Sequence, residues 1–159
     1  MTLLKSGLNP WLDTMADATR EFASTSLGVD GRSVILEPET EYPKPGRSGA
    51  FLALTSEEGS IQVGMVSDGA GCRTLSAAFL GIEPEEASEL TAADIADSMG
   101  EVINIIAGML KVRMADTVPE LNLGLPVFVD GPIVATPQQE IGVWGMRIND
   151  VEVQIIVLR

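Results

Sequence analysis

Residues 8–27 and 94–111 of this 159-residue chain both repeat apolar side chains at helical spacing, and each stretch is followed by a strand-like run and a hairpin-like pair. A lone helix–strand–hairpin unit leaves a sheet face and a helix stripe open to water. Two such units in one chain are therefore driven to share a sheet and to cover it with their helices. A shift of eighty positions lays Ala16, Asp17, Glu21 and Gly28 on Ala96, Asp97, Glu101 and Gly108, with Ser24 falling on Asn104. The expectation is an α+β fold in a single domain over residues 1–159, made of internally duplicated units at about 8–67 and 91–158. Their strands form a largely antiparallel sheet packed against long helices, and the duplication carries one altered site.

Turn and cap chemistry supplies the element boundaries. In the first helix Leu8, Trp11, Leu12, Met15 and Phe22 share a face, Asn9 can cap, Pro10 suits the first turn and Gly28 is placed to end it. A short strand is predicted over 34–37 and a Pro/Gly loop over 37–49. Residues 51–55 and 61–67 flank Glu57, Glu58 and Gly59 as a hairpin, and 70–80 reads as a short helix. An acidic connector around Pro84 leads to Thr91, a cap with Asp94 three residues on. Beyond Met114, 125–130 reads as a strand opened by Pro126 and closed by Gly131, and 141–147 with 151–158 flank Asn149 and Asp150 as a terminal hairpin. That hairpin is expected to leave an apolar sheet edge which a homodimer would cover, a monomer being the alternative.

Composition narrows the chemistry. The chain is 45% hydrophobic and 21% charged, with no apolar run near the ~18 residues of a membrane span, so a soluble folded domain is expected. Met1 and the residues after it are too short an apolar stretch for a signal sequence, and Cys72 is the only cysteine; both point to the cytoplasm, with Cys72 in a packing role. Ten Lys and Arg against 23 Asp and Glu give a formal charge of −13, which argues against nucleic acid and anionic lipid as partners. With no histidine and one cysteine, a Ser/His/Asp triad, a Cys/His dyad and a Cys/His zinc site are excluded. Any chemistry must use carboxylates, amides, hydroxyls or a partner's groups.

The second long helix is where those groups gather. At about 100° per residue, Ile95, Met99, Val102, Ile103, Ile106 and Leu110 face a core, while Asp97, Glu101, Asn104 and Gly108 form the opposite stripe. A polar back is ordinary for a helix. Asparagine and glycine are not good helix-interior residues, however, glycine costing about 1 kcal/mol against alanine, and here both share one stripe. The Ser67-Asp68-Gly69-Ala70-Gly71 run lacks the spacing of a phosphate-cradling loop and reads as a turn.

Glu101-Val102-Ile103-Asn104, continuing Ile105-Ile106-Ala107-Gly108-Met109-Leu110-Lys111, resembles the Glu-x-x-Asn helix of the CheX/CheC family of chemotaxis phosphatases. Leu123-Gly124-Leu125-Pro126-Val127 with Gly131 is similar to the family's Leu-Pro strand, and the Gly59-Ser60-Ile61 hairpin and the Phe79-Leu80-Gly81 helix end extend the likeness over nearly the whole chain. In the two-site branch, CheC, both helices carry Glu-x-x-Asn. Here the first reads Glu21-Phe22-Ala23-Ser24, which places the chain nearer the one-site branch, CheX.

The resemblance implies removal of the phosphoryl group from the aspartyl phosphate of a CheY-type response regulator. Glu101 would pair with a lysine of the regulator, and Asn104 would orient the attacking water. The protein would need no cofactor or metal of its own, the regulator supplying the magnesium ion. Asp97 would add docking charge and Gly108 would let the partner's backbone come close, with surface filler the alternative for each. The rival reading is an adaptor or flagellar-switch-like module that binds a receiver domain through the same helix without hydrolysis; a small-molecule-binding domain is the third.

Overall fold

The computed structural model describes residues 7–40 and 43–159, so the N-terminal residues behind the compartment argument lie outside the described residues. Helix α1 (Asn9–Ser26) is followed by a 3-10 turn at Gly31–Ser33, strand β1 (Val34–Thr40) and the hairpin β2 (Ser48–Ser56) and β3 (Gly59–Ser67). Helix α2 (Gly69–Leu80) and a second 3-10 turn (Pro84–Glu89) lead to α3 (Ala92–Met114). The short strands β4 (Asn122–Leu123) and β5 (Val127–Asp130) then precede the hairpin β6 (Ile141–Ile148) and β7 (Val151–Leu158).

Local chemistry explains most boundaries. Gly28 takes φ +65°, the left-handed conformation that lets the Val29 N–H turn back to the Ala23 carbonyl at 3.0 Å and stop α1. Asn9 does not cap that helix: Leu8 holds the cap position without a side-chain bond, and Asn9 is already the first helical residue. Asp68 caps α2 by accepting from the Gly71 N–H at 2.6 Å, and a Cβ on Gly71 would collide with the Ser67 hydroxyl. The glycine-flanked run is thus a helix start. The first strand runs further than its apolar residues suggest, through Pro38 to Thr40, because its pairing with β6 shifts between Leu36 and Glu39. A bulge on an edge strand is where a proline fits a sheet.

All strand pairs are antiparallel, in the order β1-β6-β7-β3-β2-β4, with β5 also paired to β2. The terminal hairpin therefore lies inside the sheet, β6 between β1 and β7 and β7 between β6 and β3. It leaves no open edge, so the ground it offered for a homodimer falls away. Alternation reveals which residues a strand buries but not which strand lies beside it.

The strand of each half pairs with the hairpin of the other half, β1 with β6 and β5 with β2. The helices cross in the same way: α1 lies over β6 and β7, and α3 over β2, β3 and β5, while the two helices also pack on each other. Trp11, Leu12, Met15 and Phe22 of α1 meet Met99, Ile103, Ile106 and Leu110 of α3 in one fully buried core with Leu54, Ile61 and Met65 of the sheet. On the far face Phe51, Val66, Val143, Ile156 and Leu158 form a second small cluster, over which the segment after β5 lays Ile133 and Ala135.

Candidate functional site

Helix α3 is fixed at its start by a complete capping box. The Thr91 hydroxyl accepts from the Asp94 N–H at 3.1 Å, and the Asp94 carboxylate accepts from the Thr91 N–H at 2.9 Å. The Thr91 N–H, and after it the Thr91 hydroxyl, hold the Asp94 carboxyl below its ordinary value. The preceding turn is tied down by Arg73, whose guanidinium donates to the carbonyls of Ala87 and Leu90 at 2.9 and 2.8 Å. Every residue of the expected apolar stripe, from Ile95 to Leu110, is buried. Ser98, Ala107 and Met114, unassigned by the sequence reading, join them.

With that face committed, Asp97 and Glu101 project into solvent, and Asn104 and Gly108 are half-buried further along the same side. Glu101 and Asn104, three residues apart, are neighbours on a helix surface at about 5–6 Å between Cβ atoms. Among the described residues no hydrogen bond or ion pair engages the side chains of Asp97, Glu101 or Asn104. A Cβ at Gly108 would meet nothing within 4 Å, so packing within the chain does not require glycine there.

Beside the acidic end of the stripe runs a shallow groove of about 460 Å³, lined by Ala96, Asp97, Gly100, Glu101, Pro126 and Phe128. The Pro126 ring packs close over Gly100, near enough that a Cβ there would reach it at 3.5 Å, an ordinary contact. The sequence marks Pro126 only as the start of a strand. Its place against Glu101 depends on β5 pairing with β2 beneath α3, which no local signal reveals.

The matching stripe on α1 has a different electrostatic state. Asp17 is paired with Arg20 at 3.0 Å, and Glu21 with Arg113 of α3 at 3.0 Å. Gly28 terminates its helix at positive φ, whereas Gly108 sits in mid-helix, so these two aligned glycines do different work. Cys72 is buried and its thiol is pushed up by burial; the sulfur donates to the Ser48 carbonyl at 3.3 Å, which suits packing and not reactivity. Among the described residues no three His, Cys, Asp or Glu side chains gather as metal ligands, and no helix is long and apolar enough to cross a membrane.

What this arrangement offers chemically is an unpaired carboxylate and an unpaired amide side by side on a rigid helix. Such a surface can bind a cation on a partner and orient a small polar molecule, and it holds no nucleophile and no acid–base pair. Solved structures of the same fold include a CheC-like superfamily protein from Shewanella sp. PV-4, with a TM-score of 0.75 and 13% identity over 92% of this chain and 95% of that one. The CheX–CheY–BeF3–Mg complex from Borrelia burgdorferi gives 0.69 and 19% over 93% and 97%. The FliM middle domain from H. pylori gives 0.62 and 11% over 92% and 86%. No curated protein sequence matches. The family model described as chemotaxis phosphatase CheX, however, matches residues 49–142, more than half of the chain and including all of α3, and the chain belongs to that family.

Proposed function

We propose that this protein hydrolyses the aspartyl phosphate of a CheY-type response regulator, with Asn104 as the catalytic residue and Glu101 as the docking anion. The observation that carries the reading is the pair of unengaged side chains on α3, one charged and one neutral, within a turn of each other. Membership of the CheX family supports it, as does the fold shared with the Borrelia burgdorferi CheX–CheY complex.

Hydrolysis of an acyl phosphate needs a water in line with the bond from phosphorus to the aspartyl oxygen. The water oxygen bonds to phosphorus as that bond breaks, and the products are inorganic phosphate and the free carboxylate. Positioning makes up most of the catalysis in such a transfer. The Asn104 amide can accept a hydrogen bond from the water and fix its orientation without adding charge beside an anionic phosphoryl group. Glu101 would pair with a lysine on the receiver, and Asp97 would add to that attraction. Gly108 would leave room for the receiver's backbone. The magnesium ion and the scissile bond belong to the receiver, which accounts for an enzyme without histidine.

A receiver-binding adaptor is the second reading, and the fold shared with a FliM middle domain is the observation in its favour. Binding alone needs Glu101 but has no use for an unengaged amide at 104, so the phosphatase is the reading that uses both. The deciding experiment follows the loss of labelled aspartyl phosphate from a CheY-type receiver with no addition, with the native protein and with Asn104→Ala. Faster loss with the native protein alone is expected. Equal loss in all three samples would leave only the adaptor.

A further inference from the structure

The two acidic stripes invite an obvious difficulty. Asp17 and Glu21 on α1 repeat Asp97 and Glu101 on α3, all four carboxylates are exposed, and a receiver that recognises one pair by charge would be drawn to both. The ion pairs separate them. Arg20 lies against Asp17 and Arg113 reaches across from α3 to Glu21, each at 3.0 Å, while no cation holds Asp97 or Glu101 among the described residues. Lys111, the nearest cation in sequence beyond Glu101 on the same helix, is ten residues and about 15 Å along the axis.

We infer that Arg113 and Arg20 are specificity-determining residues, which occupy the Glu21 and Asp17 carboxylates and close the α1 face to the lysine-bearing receiver that docks on α3. The inference rests on the proposed docking of a receiver at Glu101. Exposed ion pairs contribute little to stability, so their consequence is read at the interface. A receiver lysine approaching Glu21 must displace one guanidinium and remain beside two, and like charges brought together suppress a wrong partner. Arg113 matters more than Arg20, because it belongs to the other helix and its reach to Glu21 depends on how α1 and α3 pack.

The test titrates each variant with a beryllofluoride-activated CheY-type receiver that the native protein binds. The native chain is expected to take up one receiver, and Glu101→Lys to lose it. Adding Arg20→Gln and Arg113→Gln to Glu101→Lys should restore binding by about tenfold or more over Glu101→Lys alone, and a further Glu21→Gln should remove the gain. A folded triple variant that binds no better than Glu101→Lys would overturn the inference and leave docking at α3 standing. Native affinity in Glu101→Lys itself would instead overturn the α3 reading. Should the triple variant not fold, Arg113→Gln in the native background decides: a rise from one receiver per chain toward two supports the inference, and an unchanged single site overturns it.

Discussion

Asn104 and Glu101 are adjacent on α3 yet should fail in different ways when replaced. A water-positioning amide acts in the transition state, so Asn104→Ala should lower the dephosphorylation rate by about two orders of magnitude while leaving receiver affinity within a few fold. Glu101→Lys turns attraction into repulsion and should show its loss in affinity. Equal affinities for the two variants, in a titration with activated receiver, would end this division of roles. Gly108 offers a test in which stability and binding move in opposite directions. Its added Cβ meets open space, so Gly108→Ala should stabilise the helix by roughly 0.5–1 kcal/mol while weakening docking where a partner's backbone approaches. A stabilised variant with undiminished affinity would assign Gly108 to the helix surface alone. Ser24, aligned with Asn104, is exposed on α1, and its loss as Ser24→Ala should leave activity unchanged. Ser24→Asn in an Asn104→Ala background should remain silent unless Arg20 and Arg113 are also replaced, since both the missing amide and the occupied carboxylates separate α1 from α3.

At the scale of elements, α3 was legible in sequence because everything that defines it is local. The apolar residues recur at helical spacing, the capping box spans four positions, and both features are present as the residues predict. Thr91→Ala should therefore cost about 1 kcal/mol, a fall of about 2–4 °C in Tm for a chain of this size. The Asp94 half of the box carries a pH signature. Its carboxyl is held below the ordinary value of 3.8 by the Thr91 N–H and hydroxyl, so its contribution is complete above that value and disappears as pH falls through the lower folded one. The native and Asp94→Asn proteins should thus converge in stability under strong acid and diverge above pH ~4. Stability curves that stay parallel through that window would remove the carboxylate from the box. What sequence could not supply is non-local. The Arg113–Glu21 pair joins residues 92 positions apart, the Pro126 wall depends on β5 lying beside β2, and β1 continues past Pro38 across a register shift that places its extra residue against β6. Each of these is a property of neighbours that the chain brings together after folding.

The eighty-residue shift that aligns the two helices does not carry through the whole molecule. Corresponding strands begin at Val34 and Val127, Ser48 and Ile141, and Gly59 and Val151, which are 93, 93 and 92 positions apart, so the halves differ in the connection after their helix. We propose that the units are nonetheless copies, because the single strand of each unit pairs with the hairpin of the other and each long helix covers that same opposite hairpin. Reciprocal exchange has a consequence for folding. Among the described residues β1 pairs only with β6, β4 and β5 pair only with β2, and α3 covers the first hairpin while α1 covers the second. A chain cut at Gly81, an exposed turn residue at φ +71°, yields fragments 1–81 and 82–159 in which every outer strand has lost its neighbour and the long helices α1 and α3 have each lost the hairpin they cover. An isolated hairpin is marginally stable at best in water. Each fragment alone should therefore lack a cooperative thermal transition, and the equimolar mixture should recover one together with the near-ultraviolet dichroism of the packed tryptophans, Trp11 and Trp144, which belong to different fragments but to one core. Cooperative unfolding of either fragment by itself would show that its helix and hairpin can close on each other, and would replace the exchanged arrangement with two independently folding units.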